Sequence, residues 1–462
     1  MKKRNRVALF NIISTFLLRA ISIFTAPVFS RLLGTGGYGV VTAFNTWTNI
    51  TAAAGTSQTY CTLPNARTEY PEEEQEKYQS AIMGLSMTLL LCVSAVILLF
   101  LPWVAKLMKM SSGLVVLVLV QAFGMYCVSF LNYKFTYELK PGRNMLVTVA
   151  VALLTLGASL LLVILLPKEI NYYGRIGGNA LIYGIAGLAA CFWILRKGKV
   201  FYHRAYWKFC LALSIPLALQ SLSDLLLGNT DLIMLRHIWG DSASGIYGLA
   251  LSFSGIIFSL FCALNNSWVP FFFEESRRKN HDQVAEQAKN FMELYTVLSV
   301  GFILVAPEVY RIFASSDYWD GIWVIPVFTT SYYLNFLCTF PVNFEYYHKK
   351  TKIVSAATIL AALLNIGLNA LVIPRYGIYG AACASCASHT VQFLLHYLYS
   401  RYILGKTEYP FPTSMWGKYA LVYAAFLGTV YLTKGYPLLR WGLGVIVGFW
   451  ELYMIRKRKV LI

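Results

Sequence analysis

Long apolar runs alternate along the chain with short stretches rich in charge, glycine or proline. About 20 apolar residues cross a bilayer as one helix, so each run is long enough for a transmembrane helix. Fourteen such helices are predicted, at residues 7–30, 38–58, 80–103, 112–133, 145–166, 176–195, 209–235, 244–272, 291–313, 322–346, 353–373, 378–400, 417–433 and 437–455. The pattern therefore predicts an all-α integral membrane protein with about fourteen transmembrane helices.

Charge is scarce and unevenly placed. Only 13% of the 462 residues are charged, against about 25% in soluble domains, which excludes an ordinary soluble enzyme. Of the 39 basic residues, 28 fall at the termini and in loops on the N-terminal side, 10 fall in the opposite loops, and Arg19 lies inside an apolar run. Since cytoplasmic loops carry the Lys and Arg excess, we expect a cytoplasmic-membrane protein with both termini in the cytoplasm. The net charge of +18 then reports orientation and not nucleic-acid binding.

Two pairs of landmarks indicate an internal repeat. The turn 31–39 after the first span resembles residues 236–248 after the seventh, and 173–174 before the sixth span resembles 376–377 before the twelfth. Both pairs are offset by about 205 residues, and transporters often consist of two related halves. The predicted division is an N-terminal six-helix lobe at 1–200, a C-terminal six-helix lobe at 201–405, and two additional helices at 406–462.

These landmarks also carry a family resemblance. The string Arg31–Gly39 resembles the RLLG-x-x-x-YG turn of Wzx-type flippases for polysaccharide repeat units, and Ile373–Ala382 resembles their second signature. The resemblance extends over the whole chain in span number and loop placement. This family lies in the superfamily that includes the MATE multidrug exporters and the lipid II flippases.

The resemblance implies a two-lobed transporter that works by alternating access. It would move an undecaprenyl-diphosphate-linked oligosaccharide from the cytoplasmic to the outer leaflet, for cell-surface polysaccharide biosynthesis. The expected partners are that lipid-linked glycan and membrane lipids, with a polysaccharide polymerase and assembly proteins as candidates. The resemblance is silent on the sugar.

No motif for a cofactor or a metal emerges. Most of the nine cysteines lie inside apolar runs, where cysteine behaves as a small hydrophobic residue. Cys383 and Cys386 form a CxxC, but they lie among small residues that favour close helix packing. The chain contains no GxxxxGK[ST] phosphate-binding loop, which argues against an ATP-driven pump. We expect no cofactor, with sodium or a proton as the candidate coupling ion.

Arg19 is the first candidate functional residue. It lies about twelve residues into the first predicted span, where a charge costs about 2.5 to 3.5 kcal/mol and usually faces a cavity or a partner. A guanidinium offers paired donors to phosphate oxygens, so Arg19 is a candidate ligand for the lipid diphosphate. The alternative is a buried ion pair that holds the helices together.

Acidic residues within spans are the candidate coupling sites. Asp224 occupies the position in the seventh span that is related to Arg19 by the repeat, and Gln220 and Asp231 share its helical face. Glu345 ends the tenth span. Any of the three acids could bind sodium or a proton, and a structural salt bridge, including one from Asp224 to Arg19, is the alternative.

Neutral polar residues recur within the spans of both halves. Amide and imidazole groups both donate and accept hydrogen bonds, as sugar hydroxyls require. Each alone is more simply an interhelical hydrogen bond, but their recurrence favours a hydrated path for a glycan. Together with Arg19 and Gln220, the substrate-binding candidates are Asn45, Asn49, Asn335, Asn365, Asn369 and His389.

Two other functions fit the membrane architecture. A MATE-like drug or cation antiporter is disfavoured by a mid-membrane arginine, which would repel a cationic drug. A membrane-embedded polysaccharide polymerase would need catalytic residues in a substantial loop, and the longest predicted external loops, near 314–321 and 167–175, are under about fifteen residues.

Overall fold

The computed structural model describes residues 2–405 and 408–458, with side chains described at residue 21 and from residue 25 onward, apart from 454, 455, 457 and 458. Within these residues the chain is helical and contains no β-strand. The helices are α1 (Lys2–Thr56), α2 (Leu63–Glu69), α3 (Gln75–Leu99), α4 (Leu101–Met108), α5 (Ser112–Tyr137), α6 (Pro141–Leu165), α7 (Asn171–Gly198), α8 (Arg204–Trp239), α9 (Asp241–Arg277), α10 (His281–Phe313), α11 (Ile325–Tyr347), α12 (Thr351–Leu398), α13 (Thr413–Leu432) and α14 (Pro437–Arg458). Short 3₁₀ segments cover Thr59–Thr62, Glu72–Glu74 and Ser316–Val324, and a π-helical turn covers Tyr399–Leu404.

The predicted all-α membrane class is confirmed. Nine helical segments among the described residues are long and apolar enough to cross a bilayer. Their outward faces carry large apolar side chains such as Leu91, Ile164 and Leu371, each about 70% exposed or more. A surface of this kind is stable only against lipid or another apolar partner.

Two glycines explain how fourteen predicted spans fit into the twelve long helices, which exclude the short α2 and α4. α1 contains the first two spans, which are separated at Gly34 (φ 66°, ψ 176°). α12 contains the eleventh and twelfth spans, which are separated at Gly377 (φ 54°, ψ −130°). Glycine adopts such positive φ angles without a Cβ clash, so the chain changes direction at these positions.

The predicted repeat landmarks behave differently from each other. Gly34 and Gly240, which correspond in the first pair, both have positive φ. In the second pair, Gly377 also has positive φ, whereas its counterpart Gly174 lies inside α7. Only the first pair therefore has the same local geometry in both halves.

One span ends earlier than the hydropathy pattern predicts. The third span was expected to continue to residue 103, but α3 ends at Leu99 and α4 begins at Leu101. Pro102 lies in the first turn of α4. Proline is favoured in a first turn, where it has no hydrogen bond to lose, and is unfavourable inside a helix, so it starts a new helix here.

The described chain forms two compact units, Met1–Asn229 with Gly240–Gly245, and Thr230–Trp239 with Ile246–Ile462. The first unit has a core of α3, α5 and α7 side chains, including Ala81, Tyr126 and Ile194. α5 and α7 approach closely, because a Cβ on Gly124 would lie 2.1 Å from the carbonyl oxygen of Tyr183. The lobe boundaries expected after residues 200 and 405 stay a prediction.

The second unit has an aromatic core. Trp268, Tyr295, Phe336 and Trp416 are all buried in it and come from α9, α10, α11 and α13. Stacked and edge-to-face ring pairs fill the space between these helices. At the other end of α13, the buried Arg440 of α14 donates hydrogen bonds to the carbonyl oxygens of Thr433 (2.8 Å) and Lys434 (3.2 Å).

Candidate functional site

Asp231 is a carboxylate in the interior of the second unit, on the last part of α8. It is only 2% exposed. Its Oδ2 accepts hydrogen bonds from the Tyr247 hydroxyl and from Ser385 Oγ (3.0 Å), and its Oδ1 accepts one from the Leu232 amide (2.8 Å). Burial of a charge is costly unless it is hydrogen-bonded or paired, and these donors reduce that cost.

Two asparagines of α12 extend this arrangement. Asn365 Nδ2 donates to Ser385 Oγ at 3.2 Å, and Asn369 Nδ2 donates to Asn365 Oδ1 at 2.9 Å. Both asparagines have no exposed surface. We call the five residues Asp231, Tyr247, Ser385, Asn365 and Asn369 the Asp231 network.

One acceptor in the Asp231 network is unused. Asn369 Oδ1 is buried and has no hydrogen-bond partner among the described residues. Buried polar atoms in native proteins nearly always have partners, so an exception suggests a bound ion, water or ligand. Carboxylate and amide oxygens and hydroxyls are the donor set that hard cations such as sodium and the alkaline earths prefer.

The kink at Gly377 builds this site. Asn365 and Ser385 are 20 residues apart, which would separate them by about 30 Å in a straight helix at 1.5 Å per residue. Their side chains instead lie 3.2 Å apart, so α12 folds back on itself after Gly377. Trp239 fixes the bend, because its Nε1 donates to the carbonyl oxygen of Ile373 at 2.9 Å.

Glu345 forms a second buried cluster at the ends of α11 and α12. Its Oε2 lies 2.9 Å from His396 Nδ1, and its Oε1 accepts a hydrogen bond from Ser400 at 2.9 Å. Glu345 and His396 are both almost completely buried. Glu345 therefore has partners of its own and is separate from the Asp231 network.

The other predicted residues of the second unit have less defined settings. His389 is half-buried, and its Nδ1 lies 3.2 Å from the Oε1 of Gln392. Gln392 in turn donates to Thr358 Oγ1 at 3.4 Å. Asn335 is half-buried on α11. The structure thus brings Asp231, Asn365 and Asn369 together and leaves His389 and Asn335 outside their network.

The predicted residues of the first unit lie on α1 and α8. Arg19 falls within the helical range of α1, but its side chain lies outside the described residues. Asn45 is half-buried, and Asn49 borders a cavity. On α8, Gln220 is half-buried and Asp224 is exposed. The proposed roles of all of these residues stay predictions.

Sequence reasoning missed two members of the Asp231 network. Ser385 lies in the run of small residues around Cys383 and Cys386, which indicated only close helix packing. Tyr247 was recognised as part of the repeat landmark and not as a hydrogen-bond donor. The signal available was position in the chain, because Tyr247 lies near the start of α9, directly after the helix that carries Asp231.

A protein-family model matches the N-terminal part of the chain. The model described as "Polysaccharide biosynthesis protein" matches residues 6–276, which is more than half of the chain. The chain belongs to this polysaccharide biosynthesis family. The resemblance first seen in the turn Arg31–Gly39 is therefore confirmed at the level of the family.

A curated relative supports the membrane assignment. An "Uncharacterized membrane protein" of Haemophilus influenzae is 25% identical over 139 residues, which are 30% of this chain and 34% of the relative. The match thus spans about a third of that relative's length. With the apolar helices described above, it identifies this family member as a multi-pass membrane protein.

Solved structures show the fold. "Lipid II flippase MurJ, inward closed conformation" aligns with a TM-score of 0.71 at 17% identity, over 98% of this chain and 100% of that one. An inward-facing "multidrug resistance MATE family transporter of the MOP superfamily" aligns with a TM-score of 0.60 at 16% identity, over 84% and 95%. This member of the polysaccharide biosynthesis family therefore has the MurJ and MATE fold.

Proposed function

We propose that this protein is a flippase that moves an undecaprenyl-diphosphate-linked oligosaccharide repeat unit to the outer leaflet of the cytoplasmic membrane. The observation that carries the proposal is a family match in polysaccharide biosynthesis on a chain whose fold matches a lipid II flippase over 98% of its length. The family match supports a glycan as the substrate, and the likeness of the fold to a flippase supports transport as the activity. No nucleic acid or enzymatic cofactor enters the proposal.

Arg19 would bind the diphosphate. A guanidinium keeps its charge in an apolar setting and can bind two phosphate oxygens at once, which suits a group whose negative charge must cross the membrane. The half-buried amides of Asn45, Asn49 and Gln220 would accommodate the glycan in the first unit. The positive-inside distribution supports cytoplasmic termini, and this orientation puts the substrate-loading side in the cytoplasm.

The Asp231 network is the proposed coupling site. A cation that binds there would neutralise the buried carboxylate and could use the unpaired oxygen of Asn369. An inward-moving cation gains about 2.3 kcal/mol per charge for every 100 mV of membrane potential, which can drive a conformational cycle. Among the three acids considered, Asp231 suits this role better than the exposed Asp224 or than Glu345, which already has His396 and Ser400 as partners.

Loss of the protein in its host tests the proposed function. Depletion should abolish surface polysaccharide and cause lipid-linked repeat units to accumulate, and the wild-type chain should restore export. Arg19→Ala should insert in the membrane at the normal level and fail to restore export. Unchanged surface polysaccharide together with increased sensitivity to cationic drugs would instead indicate a drug antiporter.

A further inference from the structure

A cavity of about 280 Å³ lies within the first unit. Its walls come from the second half of α1, the turn that follows it, α5 and α8. The lining residues are Asn49, Ala52, Ala53, Thr56, Gln58, Tyr60, Met125, Tyr126, Ser129 and Leu225. The volume corresponds to about nine water molecules at roughly 30 Å³ each and falls below the range of drug-sized pockets, so it suits a ligand of about one sugar ring.

The chemistry of this wall is polar and uncharged. Six of the ten lining side chains carry amides or hydroxyls, and none is Asp, Glu, Lys, Arg or His. Burial raises the pKa of Tyr60 above its usual range, and the nearby Cys61 raises it further by a smaller amount. The Tyr60 hydroxyl therefore stays neutral. Neutral amides and hydroxyls match a ligand that presents several hydroxyl groups of its own.

An aromatic platform borders the same space. The ring of Tyr60 lies 4.7 Å from that of Tyr133 and 5.9 Å from that of Tyr126, centroid to centroid. These neighbours hold the ring in one orientation, while Tyr60 itself is only half-buried. A fixed aromatic face gives the apolar C–H side of a sugar ring a surface to pack on.

The backbone at the cavity is strained. Ser57 (φ 48°) and Gln58 (φ 46°, ψ 40°) are consecutive non-glycine residues in the left-handed region. Residues other than glycine rarely occupy this region, and such strain tends to persist at ligand sites. Gln58, within this strained turn, is one of the residues that line the cavity.

We infer that this cavity is a subsite for one uncharged sugar of the lipid-linked repeat unit, and that it selects against sugars that carry a carboxylate or a phosphate. The inference rests on the proposed flippase function and adds a substrate class to it. An anionic sugar would lose its hydration in a wall whose ten described residues include no cation. A neutral sugar would exchange its water contacts for amides, hydroxyls and an aromatic face.

Equilibrium binding to the purified full chain in lipid nanodiscs tests this inference. The probes are radiolabelled undecaprenyl diphosphate without sugar, with one neutral hexose, and with the corresponding hexuronic acid. We expect the wild type to prefer the hexose over the hexuronic acid by about tenfold, the effect of roughly one or two hydrogen bonds. Asn49→Leu and Gln58→Gly should each lower the affinity for the hexose-bearing lipid toward that for the sugar-free lipid, because the amide that binds a sugar hydroxyl is lost, and should leave the affinity for the sugar-free lipid unchanged.

Matched variants separate lost recognition from lost folding. Glycine tolerates the left-handed backbone at position 58, so Gln58→Gly should keep the wild-type melting temperature while removing the amide. Asn132→Leu is the control, since Asn132 is a half-buried amide on α5 that accepts a hydrogen bond from Thr148 at 3.1 Å and lies outside the cavity. Asn132→Leu should keep the wild-type affinity for the hexose-bearing lipid.

Each outcome decides a different claim. Equal wild-type affinities for hexose and hexuronic acid would overturn the subsite, as would variants that weaken binding of the sugar-free lipid to the same extent. Wild-type protein that binds none of the three probes would overturn the proposed flippase function, and the subsite with it.

Discussion

The carboxylate of Asp231 accepts hydrogen bonds from three donors in the second unit. None of these three donors belongs to a basic side chain. The carboxylate thus has the geometry of an anion that is stabilised by dipoles. Such a site can accept a cation without first breaking an ion pair. This feature distinguishes it from Glu345, whose oxygen lies 2.9 Å from the imidazole of His396.

The substitution Asp231→Asn tests the coupling role. It keeps the shape of the side chain and one acceptor oxygen but removes the charge that a cation needs. Transport should fall by about tenfold or more and should lose its dependence on an imposed ion gradient, a change equivalent to about 1.4 kcal/mol or more. Glycan export by the wild type and by Asp231→Asn is measured in vesicles with imposed sodium or proton gradients. The gradient that accelerates export by the wild type identifies the coupling ion.

The control for this experiment is Glu293→Gln in the same unit. Glu293 is also a buried acid and accepts a hydrogen bond from the Tyr419 hydroxyl at 2.8 Å, but it is not part of the Asp231 network. Export by the Glu293→Gln protein should still depend on the imposed ion gradient. An Asp231→Asn protein that still responds to both gradients would remove this residue from the coupling mechanism.

At the scale of elements, the start of α9 packs against α1 through glycine. A Cβ on Gly39 would lie 1.9 Å from the carbonyl oxygen of Asp241, and one on Gly245 would lie 2.0 Å from that of Thr35. The same segments share a hydrogen bond between the hydroxyls of Thr35 and Ser242 at 3.2 Å. Their backbones are in direct contact, so only glycine fits at positions 39 and 245.

Gly39→Ala should therefore destabilise the protein. A methyl group cannot be placed there without moving backbone, and overpacking of this kind costs about 1 to 3 kcal/mol. Thermal unfolding in detergent should show a lower melting temperature than for the wild type. Gly36→Ala is the matched control, because the nearest atom to its new Cβ, Ser242 Oγ, is 3.8 Å away. Equal melting temperatures for the two variants would contradict the glycine contact.

Hydropathy and turn chemistry predicted most of the elements but not their contacts. The positions of the apolar runs and the bends at Gly34 and Gly377 were accessible, because they depend on local composition and on glycine. The break before Pro102 was missed, because apolar residues continue on both sides of it.

The candidate site was only partly accessible. Asp231 and the pair Asn365 and Asn369 were visible as polar residues within apolar spans, and the i to i+4 spacing of the asparagines placed them on one face. Their meeting through Ser385 depends on a contact between positions 154 residues apart in the chain. A single sequence does not contain that pairing, and a serine among alanines looks like packing.

At the scale of the whole molecule, the distribution of basic residues and the family assignment both bear on the proposed transport across the membrane. The loop bias of 28 to 10 predicts that the cytoplasmic face loads substrate, and the proposed function takes that substrate to be a lipid-linked glycan, in keeping with the polysaccharide biosynthesis family. A substrate made in the cytoplasm and used outside requires a step that moves its polar head group across the apolar core. The proposed flippase performs that step.

Reconstitution tests this central claim most directly. The purified chain would be placed in liposomes with a fluorescent undecaprenyl-diphosphate-linked oligosaccharide in both leaflets, and a membrane-impermeant reductant would quench the outer-leaflet fluorophores. The account predicts that the wild-type protein exposes the inner-leaflet pool to the reductant, and that Arg19→Ala protein leaves it protected as in protein-free liposomes. An inner-leaflet pool that stays protected with folded wild-type protein, under both sodium and proton gradients, would contradict it.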